Sequence, residues 1–187
     1  DFCLKNQIKL IYSATSASLG NKGKDKNLSP YAFTKSKNIE FLENLKKLFK
    51  FKYEVIFFYN VYGPGQISAG NMATVIGIFE NQYINNQPLT VVSPGNQKRD
   101  FTHVYDIVEG FIEAGFNRVN QEYQLASGKL FSLLQVAKMF NHNIKYLPSR
   151  KGERYASALT KLSLSNKIHR FYGKTKIKEY IKNLISK

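Results

Sequence analysis

The sequence predicts an α/β protein built on at least part of a parallel sheet. Strand-like and helix-like patterns alternate from one end of the chain to the other. The run Tyr53-Glu-Val-Ile-Phe-Phe-Tyr59 is almost wholly apolar, as expected of a strand covered on both faces. Between such runs, apolar residues recur at helical spacing.

Taken in order, residues 8–13 read as a buried strand that ends in small polar residues. A loop with Gly20 and Gly23 follows. Ser29-Pro30 opens a helix, with proline early, where a missing N–H costs nothing. Ile39, Leu42, Leu45 and Phe49 continue it, and could serve a core or a contact between copies equally well. Residues 53–59 are the second strand and 60–66 a loop. A helix is expected from Asn71 to about Ile84, a short strand over 89–92, and a turn at Pro94-Gly95. Asp106 reads as the cap of a helix reaching about Phe116. A strand over 123–126, a helix from Ser132 through Phe140 and a strand over 144–147 come next. Beyond Thr160 the pattern is one or two basic amphipathic helices.

A chain of 187 residues can bury a real core, and 43% hydrophobic content is too rich for disorder. No apolar stretch is long enough to span a bilayer, so no membrane role is expected. The single cysteine, Cys3, cannot form an internal disulfide and fits a reducing compartment, the cytoplasm. Three scattered histidines and one cysteine make no metal-ligand cluster, and no metal is expected. The net charge of +15 permits nucleic-acid binding or attraction of small anions. Yet the lysines are spread as solvated helix faces and loops, with few arginines and no stripe, and nucleic acid is not expected as a partner. The chain opens on Asp1-Phe-Cys-Leu-Lys-Asn6, with no initiator methionine and no signal pattern, and reads as part of a longer protein.

The chemistry-bearing residues are Thr15, at the end of an apolar run, and the segment Tyr31-Ala-Phe-Thr-Lys35. On a helix, Tyr31 and Lys35 sit one turn apart on one face. A hydroxyl, a phenol and an ammonium that converge can take the proton from a sugar alcohol while its hydride leaves. A phenol in water ionises at about pH 10 and is a poor base near neutrality, so a nearby ammonium that stabilises the phenolate is needed. Taken alone, the same pair is one aromatic and one solvated lysine on an amphipathic helix; order and context decide between the two.

Ser13-Ala-Thr15-Ser-Ala-Ser-Leu-Gly20 resembles the Ser/Thr-rich strand end of extended short-chain dehydrogenases/reductases, and Tyr31 to Lys35 matches their YxxxK. Asn60-Val-Tyr-Gly63-Pro64 resembles their N-x-Y-G-P loop. Gly95 to Asp106, with Arg99, resembles the stretch carrying their phosphate-binding arginine, and Arg150-Lys-Gly152-Glu153 their R-x-G-D/E turn. Five pieces in the right order identify a member of the NAD-dependent epimerase/dehydratase family.

The resemblance implies a partial Rossmann-like doubly wound parallel sheet with a smaller C-terminal α/β substrate-binding domain. It divides the chain into residues 1–64, the later part of the NAD-binding domain, and 65–187, mainly nucleotide-sugar binding, with about 99–127 returning to the first. It implies Thr15, Tyr31 and Lys35 as catalytic residues, with Tyr31, Lys35 and Ser13 also contacting cofactor. Asn60, Asn71, Arg99, Arg150 and Glu153 are implied for substrate. The cofactor implied is NAD, with NADP left open, and the partners are a nucleotide-diphosphate sugar and a second copy in a homodimer. Intact relatives begin with a Gly-rich turn that cradles the dinucleotide pyrophosphate. No GxGxxG occurs in these 187 residues, so the isolated chain is expected not to turn over.

Several departures matter. The interval from Thr15 to Tyr31 is short for the family, Phe57 stands where many relatives carry arginine, and Ala14 takes a place often held by serine. Nucleotide-sugar 4,6-dehydratases resemble one another in a carboxylate soon after the strand-end hydroxyl. Here Ser16-Ala17 follows, and Ala17 cannot move a proton. The leading expectation is therefore a UDP-hexose 4-epimerase. A dehydratase, an ADP-heptose epimerase, a reductase and an inactive remnant are the alternatives.

Overall fold

The computed structural model describes residues 1–17, 29–116, 122–149 and 168–186. Arg150, Glu153, the Gly20–Gly23 loop and the first part of the tail lie outside them. After a short helix α1 (Phe2–Lys5) come β1 (Leu10–Thr15), α2 (Pro30–Phe49), β2 (Tyr53–Phe58), β3 (Asn60–Tyr62) and α3 (Val75–Ile84). Next are β4 (Leu89–Val92), β5 (Lys98–His103), α4 (Val104–Phe116), β6 (Glu122–Ala126) and β7 (Leu130–Ser132). The chain continues through α5 (Leu133–Met139), β8 (Ile144–Leu147), β9 (Ile168–Tyr172) and α6 (Ile177–Ile185).

The central layer is a four-stranded sheet in the order β1-β2-β6-β9, parallel throughout. Its two faces bury different clusters, as an α/β sheet requires. One face packs Ala14, Leu42, Phe51, Tyr53, Val55 and Phe57, so α2 lies on this side. The other packs Ile56, Ile107, Ala114, Tyr123 and Leu125, which places α4 opposite. Alternation along β2 sends Val55 and Phe57 one way and Ile56 the other. A three-stranded sheet, β3-β5-β7, and a parallel pair, β4-β8, lie apart from the central one. A third cluster, centred on Phe79, Phe101, Phe140 and Ile181, joins α3, α5 and α6 to these smaller sheets.

Several expectations are corrected. The first strand runs Leu10–Thr15, two residues later than the apolar pattern suggests, and so carries Thr15 as its last residue. Residues 60–62 form a strand rather than a loop, paired in parallel with β5. Helix α3 starts at Val75, not Asn71, because Thr74 is the cap and its Oγ1 accepts the Gly77 amide at 3.0 Å. Asp106 lies inside the first turn of α4, not before it. Its buried carboxylate accepts the Thr175 amide at 3.1 Å and ties α4 to the approach of α6. The described tail holds a strand, β9, before its one helix. No helix among the described residues is long and apolar enough to cross a membrane.

Candidate active site

The site forms where β1 and β2 end side by side, Thr15 opposite Phe58 in register. This is where open parallel sheets hold their ligands. A cleft of about 520 Å³ opens there, and its lining includes Thr15, Tyr31, Tyr59, Asn60, Thr74 and Arg99.

Each side chain arrives by a local cause. Ser29 has extended backbone, and its Oγ accepts the Ala32 amide at 3.1 Å. That cap starts α2 one residue before Tyr31, which leaves Tyr31 in the exposed first turn, 55% accessible, at the cleft mouth. One turn on, the Lys35 ammonium donates to the Ser13 carbonyl at 2.8 Å and lies 5.3 Å from the centre of the Tyr12 ring. The Tyr12 hydroxyl in turn donates to the Lys35 carbonyl at 3.3 Å, so strand and helix hold each other from both ends. Thr15 is buried, and its Oγ1 accepts the Ala17 amide at 3.2 Å. That bond turns the chain just past the sheet.

The opposite wall comes from the second sheet and α3. The Asn60 amide donates to the Asp100 carbonyl at 3.0 Å. Arg99 stands on β5 and donates from Nη1 to the Lys98 carbonyl at 2.9 Å. Beside it, the fully buried Asp100 carboxylate accepts four hydrogen bonds. Oδ1 takes the Ser127 amide at 2.8 Å and the Thr102 hydroxyl at 3.1 Å. Oδ2 takes the Ser127 hydroxyl at 2.9 Å and the Lys129 amide at 3.1 Å. Burial pushes the Asp100 carboxyl above the usual carboxylate range, and the bonds from Ser127 and Thr102 pull it part of the way back. Among the described residues that line the cleft, Arg99 is the one charge and no carboxylate is present.

Of the expected site residues, the cleft brings together Thr15, Tyr31, Asn60 and Arg99. Lys35 and Ser13 meet each other directly behind it. Asn71 does not join them: it is exposed, in a turn three residues before the cap of α3, and outside the described lining. Thr74 takes that place instead. Arg150 and Glu153 lie outside the described residues. Tyr12, Tyr59 and Asp100 were not expected. Tyr59 lies within the apolar run, and its hydroxyl donates to Gln124 Oε1 at 2.9 Å. Asp100 directly follows Arg99, and its buried company has no sequence signal.

Helices on both faces of a parallel sheet, with a polar cleft at the strand ends, define a doubly wound, Rossmann-like α/β protein. The profile of the NAD dependent epimerase/dehydratase family matches residues 1–126, and the chain belongs to that family. It is 31% identical over 134 residues to a Methanocaldococcus jannaschii protein described as "Putative UDP-glucose 4-epimerase", covering 68% of this chain and 43% of that one. It is 28% identical over 157 residues to the ADP-L-glycero-D-manno-heptose-6-epimerase of Fusobacterium nucleatum, covering 73% and 47%. The chain therefore spans about half the length of these curated relatives. Among solved structures, a UDP-glucose 4-epimerase with UDP-glucose from Thermotoga maritima matches with a TM-score of 0.85 at 24% identity, over 98% of this chain and 64% of that one. At that identity the likeness speaks for the fold.

Proposed function

We propose that these residues form the catalytic and sugar-nucleotide-binding part of an NAD-dependent nucleotide-sugar epimerase, of the UDP-hexose 4-epimerase kind. One observation carries the reading. A buried hydroxyl, Thr15, and an exposed phenol, Tyr31, face Asn60 and Arg99 across a single cleft, and Ala17, two residues after Thr15, has no group that could move a proton. Elimination of water needs an acid beside the reacting carbon. Inversion needs only a base that takes the carbinol proton and gives it back.

The cleft fits the nicotinamide end of a dinucleotide, because it opens at the carboxyl ends of β1 and β2. Tyr31, Lys35 and Ser13 would hold that end. Bound NAD supplies the hydride chemistry, which no side chain here can perform. Thr15 holds the reacting hydroxyl of the sugar. Tyr31 takes its proton and returns it after the sugar has presented its other face. The Lys35 ammonium, fixed on Ser13, places positive charge behind the phenolate. Arg99 grips the diphosphate by a charge-assisted fork, Asn60 lends its amide, and the first turn of α3 turns its amides toward the same anion. Residues 1–64 and 65–187, with about 99–127 and strand β9 belonging with the first, are the natural division between cofactor and substrate duties.

We assign the protein to the cytoplasm, where the unpaired Cys3 stays reduced. It is a homodimer through α2. Leu42 is core, with Ile39 and Leu45 packed against it, whereas Phe33, Phe41 and Leu48 are exposed along the outer face of the helix. The test is to fuse a Gly-rich NAD-binding segment ahead of residue 1 and assay UDP-hexose interconversion. Turnover by the fusion and none by the 187-residue chain is expected. A fusion that binds NAD and UDP yet interconverts nothing ends the reading.

A further inference from the structure

The two walls of the cleft belong to different sheets, so their spacing is set where the chain passes from one to the other. Buried side chains hold it at several of these places. The Tyr59 hydroxyl, between β2 and β3, donates to Gln124 on β6 at 2.9 Å. The turn from β6 to β7 is held by the Asp100 carboxylate, which accepts the Ser127 and Lys129 amides at 2.8 and 3.1 Å. Residues 173–176 form a further strap, from β9 of the central sheet to α6, whose Ile177 and Ile181 sit in the core of the smaller sheets.

This strap is gripped from both sides at one residue. The Thr175 amide donates to Asp106 Oδ2 at 3.1 Å, and its hydroxyl adds a longer bond to Oδ1 at 3.5 Å. The Thr175 carbonyl accepts the Tyr62 hydroxyl at 3.3 Å. Asp106 stands in the first turn of α4, beside Ile107, which packs on the central sheet. Tyr62 ends β3 and belongs to the cluster that holds Phe101 and Ile177. Thr175 is therefore bonded to both halves of the molecule. Both grips are stiff. Asp106 and Tyr62 are buried, and the Tyr62 ring meets His103 edge-on at 5.2 Å and Tyr180 at 5.1 Å. A carboxylate makes the stronger kind of hydrogen bond, because its charge assists it. A Cβ on Gly173 would fall 2.5 Å from Asp106 Oδ2, so the strap passes the carboxylate with no room for a side chain. Asp106, Tyr62 and Thr175 all stand outside the described lining of the cleft.

We infer that Asp106 and Tyr62 are positioning residues: by clamping Thr175 between them, they fix the distance from Thr15 and Tyr31 on one wall of the cleft to Asn60 and Arg99 on the other. The inference rests on the proposed nucleotide-sugar reading for what the two walls hold. It makes the clamp a determinant of turnover rather than of nucleotide affinity. UDP is gripped by the Arg99 wall alone, whereas reaction needs the sugar delivered to Tyr31 on the opposite wall.

Two spin labels report the spacing in the 187-residue chain without any substrate. One is placed at Asn81→Cys on α3 and one at Ile112→Cys on α4, both exposed, in a Cys3→Ser background. Pulsed electron–electron resonance should give one narrow distance distribution when the clamp is intact. Asp106→Ala and Tyr62→Phe should broaden it. Asp106→Asn keeps an oxygen for the Thr175 amide and an NH₂ for its hydroxyl, and should stay close to the narrow form. The second readout uses the NAD-binding fusion. There Asp106→Ala should lower kcat, counted per UDP-binding site, about ten- to a hundredfold while UDP affinity changes less than about twofold, with Asp106→Asn restoring most of the rate. A residue that only stabilised the fold would change the number of competent sites and leave kcat per site alone. A distribution in Asp106→Ala as narrow as that of the intact clamp overturns the clamp, and a narrow one in Tyr62→Phe removes the tyrosine from it. An unchanged kcat per site in Asp106→Ala overturns the positioning role. A fusion that turns over no UDP-hexose counts against the nucleotide-sugar reading, while the label distances still decide the clamp.

Discussion

Replacing Asp100 is the sharpest test of how the Arg99 wall is built. The carboxylate is fully buried and accepts two amides and two hydroxyls. In Asp100→Ala the hydroxyls have other outlets. Thr102 Oγ1 already lies 3.4 Å from the Leu125 carbonyl, and Ser127 Oγ lies 3.4 Å from the Lys129 carbonyl. The Lys129 amide also reaches Ser127 Oγ at 3.2 Å. The Ser127 amide has no second partner of this kind. One stranded buried donor costs about 1–3 kcal/mol, and the void left by the side chain adds to it, so a loss of about 3 kcal/mol is expected. Asp100→Asn keeps the shape and sheds the buried charge, and should lose about half as much. Urea unfolding with an unchanged slope is the assay. The pH dependence gives an independent sign. Burial raises the carboxyl in the folded state, so the folded chain binds this proton more readily than the unfolded chain does. Stability from this group then falls as pH rises above about 3.8 toward neutrality, and is regained on acidification. The advantage of wild type over Asp100→Asn should widen as pH drops. An Asp100→Ala chain within about 0.5 kcal/mol of wild type, or a gap that narrows in acid, refutes the reasoning.

Other outcomes follow from the same geometry. In the NAD-supplied fusion, Tyr31→Phe should lower turnover by about 10²–10⁴-fold and change UDP affinity less than twofold, measured by steady-state kinetics and calorimetry. Arg99→Ala should weaken UDP binding about ten- to a hundredfold, since a charge-assisted phosphate contact is lost, while the Gly77 amide stays in place. His103 is held below the ordinary imidazole range by burial, partly opposed by Asp106. Its ring resonances should therefore stay neutral below about pH 6.5, and stability should fall as pH is lowered through that range. Phe41→Glu should leave the fold intact and shift any dimer to monomer in sedimentation.

Strands β1, β2 and β6 of the central sheet were readable from their largely apolar runs, whereas β9, with His169 and Arg170 in a basic tail, has the pattern expected of a helix. Val55 and Ile56 are both fully buried yet point to opposite sides, and only a continuous hydrophobic run can do that. Ser29-Pro30 was readable for a similar reason, because capping chemistry is local. Strand β5 was not. Lys98-Arg-Asp-Phe-Thr-His103 has the look of a loop, and its buried Asp100, Thr102 and His103 are tolerated only because partners distant in sequence satisfy them. The helix start at Asn71 failed against a stronger competitor three residues on, since Thr74 has both an amide to accept and a glutamine to give to. For the site, Thr15, Tyr31, Asn60 and Arg99 carried motif context. Tyr12, which steadies Lys35, and Gln66, which accepts the Thr74 hydroxyl, act through contacts that no local pattern encodes.

A single residue, Tyr59, separates β2 from β3, and the two strands belong to different sheets. Its ring lines the cleft while its hydroxyl is moored to Gln124 on β6. The chain crosses between these layers again after β5, after β6 and after β9, but at Tyr59 it does so within one residue that is tied to the neighbouring strand. Such a joint favours a gap of set width over a swinging jaw. Selectivity at such a slot rests on the fit of the guest at entry rather than on closure after capture.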